Sequence, residues 1–168
     1  MTKVSKVTVC ASVALFASFM PASLIAQAVK RDNPAGLFSS PRFTNVVEVS
    51  AGTNLIFVLG LTAQGVDGKI PSGAEAQADA VFAHLRTALE SRGLKPSDVV
   101  QIRAFLVDMP NTIPAYRKAA AAFFANVQPP ASAAVGVVAL VSPDLLIEVE
   151  LIAVRPAASA AGESHPAR

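Results

Sequence analysis

Apolar positions follow two different periods along the chain, and the change between them marks its elements. β-Branched and aromatic residues at 46–49 and 55–59, separated by the turn signal 51–54, predict two strands paired as a hairpin. Over 72–92 the apolar residues return every three or four positions instead, which predicts an amphipathic helix. Gly93 follows that helix and is suited to its C-terminal cap.

The second half of the chain repeats this alternation. A mostly apolar run at 99–107 predicts a strand covered on both faces, and a second helix is expected at 112–126 with Asn111 as its N-cap. The apolar face of that helix would hold Ile113, Tyr116, Ala120, Phe123 and Phe124. Runs at 133–140 and 145–154 predict a second hairpin. The order β-β-α-β-α-β-β therefore predicts an α+β fold, one sheet with two helices on one face.

The first residues have the pattern of a secretory signal peptide, assigned to 1–28. Lys3 and Lys6 precede an uncharged apolar stretch, and Ala26-Gln27-Ala28 supplies small residues where a signal peptidase cleaves. A retained membrane anchor is the alternative, because the stretch approaches the roughly 20 residues that span a bilayer. Cleavage after Ala28 is the favoured interpretation, and it predicts a periplasmic or secreted protein without a membrane anchor.

The remaining chain divides into three parts. Residues 29–42 are predicted to be a linker or extended arm, 43–155 a single domain, and 156–168 a flexible tail. Hydrophobic residues make up 52% of the chain and charged residues 15%, which excludes disorder for the domain. So much apolar surface also favours burial at contacts between subunits.

Several kinds of chemistry are disfavoured by composition. Cys10, the only cysteine, lies in the predicted signal peptide, so the exported protein would have no thiol for a disulfide, a nucleophile or a zinc site. His84 and His165 are too few for a zinc site, and we expect neither a metal nor another cofactor. Without Lys3 and Lys6 the basic and acidic residues balance, and this gives no electrostatic footprint for nucleic acid.

Several motifs in this order of elements resemble the RidA (YjgF) family over 43–155. They are Ala76-Gln77 in the first helix, the run 105–109 followed by Asn111, Phe123-Phe124, Pro129-Pro130-Ala131 before a strand, and the terminal strand 147–154 with its Glu-x-Glu. The resemblance implies a fold like that of chorismate mutase, assembled as a homotrimer with ligand clefts between subunits. It also implies hydrolysis of enamines and imines derived from amino acids, which yields a keto acid and ammonia.

The family's catalytic arginine is missing from the matching position. In the family that arginine lies in a Pro-x-Arg-Ser/Thr motif, and its planar guanidinium suits a substrate carboxylate. Here the matching stretch is 130–133, and Ser132 occupies the arginine position. The resemblance thus implies a cleft that has lost its carboxylate clamp, with Ala131 and Ser132 among its ligand-binding residues.

Other positions of the implied cleft differ as well. Phe43 or Thr44 stands where the family often has a tyrosine, and Leu61 belongs to a run that is more polar in the family. Glu148 is kept at the position of the cleft glutamate that is thought to orient water. The alternative for Glu148 is a solvated strand residue on the same face as Glu150.

Two functions follow from these residues. The first is a trimeric module that binds a small molecule and does not deaminate imines. The second is an imine or enamine hydrolase in which Arg42 or Arg103 replaces the missing arginine, although both residues also fit a solvated or structural role. A third interpretation, a ribonuclease, is disfavoured by the balanced charge. Asp108 precedes the second helix, where an N-cap role explains it without catalysis.

Overall fold

A computed structural model describes residues 29–156. The predicted signal peptide and, apart from Pro156, the predicted tail lie outside this range. Within it, no helix is both long enough and apolar enough to cross a membrane.

The described chain forms six strands and two α-helices. Their bounds are β1 Val29–Asp32, β2 Val46–Val49, β3 Thr53–Thr62, α1 Ala74–Glu90, β4 Val99–Val107, α2 Met109–Phe123, β5 Ala131–Val137 and β6 Ile147–Pro156. A short 3-10 helix, Pro96–Asp98, leads into β4.

The main sheet has four strands in the order β3-β6-β4-β5, and both helices pack on one of its faces. Strands β4 and β5 run parallel, whereas β6 is antiparallel to both of its neighbours. The predicted α+β fold with two helices on one face is therefore confirmed. The core lies between the helices and alternate residues of β4 and β6, such as Ile102, Leu106 and Ile147.

Both predicted hairpins are wrong. Strand β2 pairs with β1 in a separate two-stranded sheet, and β3 pairs with β6. Strand β5 does not pair with β6 but lies parallel to β4. The helix between β4 and β5 carries the chain back to the end of the sheet where β4 begins, so β5 runs in the same direction as β4. The arm at 29–42 thus begins with a strand, and Arg31 fastens it by donating from Nη2 to the carbonyls of Ser97 (3.2 Å) and Val99 (2.7 Å).

Helix α1 has the predicted apolar face. Its members are buried, and they are Ala78, Val81, Phe82, Leu85 and Leu89. The helix ends at Glu90 with Ser91 as its C-cap, and the predicted capping residue Gly93 lies in the turn that follows, where its positive φ of 66° suits a residue without a side chain. The chain reverses there, and the Leu94 N–H donates to the carbonyl of Leu89 at 2.9 Å.

Helix α2 begins earlier than the sequence predicts, so Asn111 as N-cap is wrong. Asp108, for which the sequence also predicts an N-cap role, takes the N-cap position in a left-handed conformation, although its side chain caps no backbone N–H. Instead, Asn111 Nδ2 donates to Asp108 Oδ2 at 2.8 Å. The helix ends at Phe123 rather than at Asn126, which has a positive φ of 64°.

The sheet face away from the helices is covered at one end by β1 and β2, where Val29 packs with Val100 and Val154, and the rest of it is open within the described chain. Phe57 and Leu59 on β3 expose 71% and 72% of their surface there. Between them and β4 lies a groove of about 460 Å³. Arg103 and Glu150 line this groove and form an ion pair, with 2.8 Å between Arg103 Nη1 and Glu150 Oε1. A large apolar surface of this kind is typical of a face that another chain covers.

Candidate functional site

A cavity of about 530 Å³ lies on the helix side of the sheet, between α2, β5 and the arm. Apolar side chains form most of its wall, and they are Phe38, Phe43, Ile102, Met109, Ile113, Ala120, Ala121, Phe124, Val127 and Ala134, together with Pro41, Pro129 and Pro130. The polar lining residues are Arg42, Tyr116, Arg117 and Ser132. Ligand sites in proteins commonly have this size and this mixture of apolar walls and a few polar groups.

Two hydroxyl groups line this cavity. Tyr116 lies on the buried face of α2, and Ser132 lies on β5. Burial raises the pKa of Tyr116 because the phenolate would lose its hydration, and the nearby Ser132 hydroxyl offsets part of that effect. Ser132 is thus a polar lining residue at the position where the resemblance implies an arginine.

The arm forms the outer wall of the cavity. The Thr44 N–H donates to the carbonyl of Pro130 at 3.0 Å, and its hydroxyl donates to the carbonyl of Pro129. Thr44 is buried by these contacts. They hold Phe43 and Arg42, which directly precede Thr44, against the cavity.

Two arginines line the cavity from different elements. Arg42 comes from the arm and Arg117 from α2, and both are exposed. Within residues 29–156 neither guanidinium has a hydrogen-bond or ion-pair partner. None of the described lining residues is acidic. The cavity therefore has an apolar interior and two cations that are available to a ligand.

Glu148 does not share this cavity with Ser132 in one protomer. Ile147 and Val149, which flank it on β6, are fully buried beneath the helices, so Glu148 points to the open face of the sheet. Its carboxylate lies against Gly60 in the bulge of β3, where a side chain in place of the glycine hydrogen would collide with it. The two predicted site residues thus lie on opposite faces of the sheet.

The remaining sequence candidates divide between the cavity and other places. Phe43 lines the cavity, whereas Ala131 pairs with Thr44 beside it and is not among the lining residues. Leu61 packs against the hydrophobic core. Arg103 is on the open face, in its ion pair with Glu150.

His84 is half-buried on α1, with Nδ1 2.9 Å from the Thr62 carbonyl. Within the described range there is no group of three or more His, Cys, Asp or Glu side chains that could hold a metal ion. His165 lies outside that range.

Sequence reasoning missed Arg117 and the polar role of Tyr116. The pattern of α2 places Tyr116 on the apolar face, and a buried tyrosine needs a partner for its hydroxyl. The position of Tyr116 on the apolar face therefore indicated that a polar group lies beneath the helix, near the tyrosine hydroxyl. Arg117 has no such signal, because a cation on the polar side of a helix is indistinguishable from a solvated one.

Tyr116 is expected to ionise above its ordinary pKa of 10.0. As the pH rises past that value, the unfolded chain releases the phenolic proton while the folded chain keeps it, so the free energy of unfolding falls, by at most about 1.4 kcal/mol per pH unit. Phenolate absorbance reports this residue alone, because the chain has one tyrosine and no tryptophan. The absorbance midpoint should be higher in the folded than in the denatured protein. Equal midpoints would contradict the burial of the phenol, and in Tyr116→Phe the alkaline loss of stability should be smaller than in the wild type.

Residues 39–155 match the family described as Endoribonuclease L-PSP. The chain is 31% identical to YyfB of Yersinia pestis, a Rid-family protein of unknown function, with a TM-score of 0.68 over 75% of this chain and 98% of that one. It is 33% identical to the YjgF gene product of E. coli, with a TM-score of 0.56 over 64% of this chain and 84% of that one. The match extends over the arm from residue 39, both helices and the four-stranded sheet.

Proposed function

This chain belongs to the Endoribonuclease L-PSP (RidA/YjgF) family, and from that premise we propose that it binds a small molecule in the cavity at Ser132 and is not an efficient imine deaminase. The observation that supports this proposal is Ser132 itself. The serine lines a largely apolar cavity at the position where the resemblance implies a carboxylate-binding arginine, and its neutral hydroxyl cannot form an ion pair with a carboxylate.

The test is a direct assay of 2-aminoacrylate hydrolysis with the purified protein, followed as formation of pyruvate and ammonia. An arginine-bearing family member serves as the positive control. We expect turnover at least tenfold below that control, because two charge-assisted hydrogen bonds to the substrate carboxylate are lost. Turnover equal to the control would reject the proposal.

A specific observation favours one alternative, an imine hydrolase with a substitute arginine. Arg42 lines the same cavity as Ser132, whereas Arg103 lies on the open face and is paired with Glu150. If the protein proves active, Arg42→Gln should lower kcat/KM for 2-aminoacrylate, and Arg103→Gln should affect it less. The ribonuclease implied by the family description is less well supported, because basic and acidic residues balance outside the predicted signal peptide.

We also propose that the protein is a homotrimer. Phe57 and Leu59 are exposed on the open face of the sheet, and a second copy of the chain would cover them. A second copy would also allow Glu148 of one protomer to approach Ser132 of its neighbour, as an intersubunit cleft requires. Light scattering should give about three times the mass of one chain. Leu59→Arg should shift the protein toward the monomer because it places a charge in the apolar contact, whereas a stable monomer in the wild type would contradict the assembly.

Export is the remaining part of the proposal. Its support is the basic and apolar pattern of residues 1–28, which ends in Ala26-Gln27-Ala28. Mass spectrometry of the protein from its native cells should find Val29 at the N-terminus in a periplasmic or secreted fraction. An intact chain beginning at Met1 in the cytoplasm would contradict export.

A further inference from the structure

We propose that Met109 is an oxidation site in the wall of the cavity and that its sulfoxide weakens the binding of apolar molecules there. The oxidant it requires is a peroxide or another two-electron oxidant that transfers an oxygen atom. This inference rests on the proposed function, because it concerns the regulation of the same cavity. The oxidation step can nevertheless be measured whatever the cavity binds.

Met109 has the only sulfur atom in residues 29–168. Met1, Met20 and Cys10 all precede the predicted cleavage site after Ala28. Methionine sulfoxide is a common oxidative product, it is reversed by sulfoxide reductases, and in some proteins it acts as a switch. In the exported protein, oxidation of sulfur would therefore be confined to this one position.

The fold places this sulfur between the hydrophobic core and the cavity. Met109 is the first residue of α2, it is half-buried, and it lines the cavity. Its side chain lies beside Gly136 of β5, where an added Cβ would be 3.5 Å from the sulfur and 3.4 Å from Met109 Cβ. A peroxide molecule is small compared with a cavity of about 530 Å³, so the cavity gives it access to the sulfur.

The oxidation of the thioether balances with hydrogen peroxide alone. A lone pair of Sδ attacks one peroxide oxygen, an S–O bond forms and the O–O bond breaks. The proton of the transferred hydroxyl passes to the departing hydroxide, which leaves as water. Sulfur loses two electrons and the peroxide gains them, so the products are the sulfoxide and a water molecule.

The sulfoxide changes the lining of the cavity because its oxygen needs polar surroundings. Met109 packs against the hydrophobic core, and an oxygen turned toward the core would be buried without a hydrogen bond, at a cost in free energy. Turned toward the cavity, the oxygen lies in the space that Tyr116 and Ser132 also line. It then adds a polar atom to a wall formed mostly by apolar residues such as Ile113 and Phe124. Oxidation is thus expected to disfavour an apolar ligand in the cavity.

Mass spectrometry tests the oxidation with the full-length purified protein. Trypsin releases peptide 104–117, in which Met109 is the only residue with sulfur. In hydrogen peroxide this peptide should gain an oxygen atom at a rate within about tenfold of that of free methionine. The control is Leu85→Met in the Met109→Leu background, because Leu85 is fully buried in the core and exchange of leucine and methionine conserves volume. The methionine at position 85 should oxidise more slowly than Met109, by a factor on the order of ten.

Fluorescence of N-phenyl-1-naphthylamine, a neutral apolar probe, tests the effect on binding. Peroxide treatment of the wild type should weaken probe binding by about tenfold, and methionine sulfoxide reductases should restore it. Met109→Gln, whose side chain is polar and of similar length, should bind the probe about tenfold more weakly than Met109→Leu. The affinity of Met109→Leu should be the same before and after peroxide treatment, because this variant has no sulfur in residues 29–168.

Several results would overturn the inference. Equal oxidation rates at positions 109 and 85 would show that the cavity does not give access to the sulfur. Unchanged probe binding after complete oxidation of peptide 104–117 would reject the regulatory effect, and so would a failure of the untreated protein to bind the probe. The hydrolysis assay with 2-aminoacrylate is separate from these measurements, so turnover equal to its positive control would reject the proposed function and leave the oxidation result standing.

Discussion

Gln77→Ala is expected to lower the free energy of unfolding by about 3 kcal/mol or more, the largest effect we predict for one side chain. Gln77 is only 1% exposed, and its amide connects α1 to two loops. Nε2 donates to the carbonyls of Pro71 (3.0 Å) and Asp144 (2.7 Å), and Oε1 accepts from the Leu146 N–H at 2.8 Å. Truncation leaves three part-buried backbone groups without this partner, and a cost of about 1 kcal/mol for each gives that total.

Gln64→Ala provides the control. Gln64 is also a glutamine whose Nε2 donates to a backbone carbonyl, that of Gly68 at 3.2 Å, but it is exposed to solvent. Water replaces its hydrogen bond after truncation, so the change should be within about 0.5 kcal/mol. Urea denaturation monitored by circular dichroism measures both variants. Similar small effects for the two glutamines would show that the contacts of Gln77 do not hold the loops to α1.

Secondary structure with strong periodicity was predictable because local residues alone determine it. The sequence predicts a helix at 72–92 and a strand at 99–107, and the structure has Ala74–Glu90 and Val99–Val107. The start of α2 was less predictable. Asn111 has the composition of an N-cap, but the left-handed conformation of Asp108 starts the helix sooner, and a backbone angle of this kind leaves little mark on the sequence.

Strand pairing was not predictable from adjacency. The runs before and after the 142–144 turn are neighbours in the chain, but β6 lies between β3 and β4 and leaves β5 at the edge. The core-facing residues of β6, which include Val149, Leu151 and Ala153, are all buried. A central position for this strand buries more of its apolar surface than an edge position would, and this long-range gain outweighs the short loop that favoured a hairpin.

The candidate site was only partly predictable, because it too depends on contacts between residues that are far apart in the sequence. Motif resemblance placed Phe43 and Ser132 in one site, and the structure brings both to the same cavity. Resemblance also placed Glu148 there, but alternation along β6 turns that carboxylate to the other face of the sheet. Arg117 belongs to a helix that passes over β5, and such a contact depends on tertiary packing.

Ser132→Arg is expected to create measurable hydrolysis of 2-aminoacrylate, at least tenfold above the wild type. The new guanidinium would enter a cavity that has room for it and whose described lining residues include no acid to pair with it. A bidentate carboxylate contact supplies charge-assisted hydrogen bonds of roughly 1.5–3 kcal/mol each, which is enough for that gain. In the proposed trimer, Glu148 of the neighbouring protomer would be available to position water.

Two variants and one comparison make this result interpretable. Ser132→Met is the control of similar length without charge, and Ser132→Lys supplies the charge without the planar guanidinium. If the substrate carboxylate needs two parallel hydrogen bonds, the rate of 2-aminoacrylate hydrolysis should be highest for Ser132→Arg, lower for Ser132→Lys and lowest for Ser132→Met. If Ser132→Arg binds small carboxylates but hydrolyses nothing, the clamp has been restored and the water-positioning groups are what this cleft lacks. If the wild type is already as active as arginine-bearing relatives and Ser132→Met does not change its rate, position 132 is not where this protein holds its substrate, and the cation must be sought at Arg42 or Arg117.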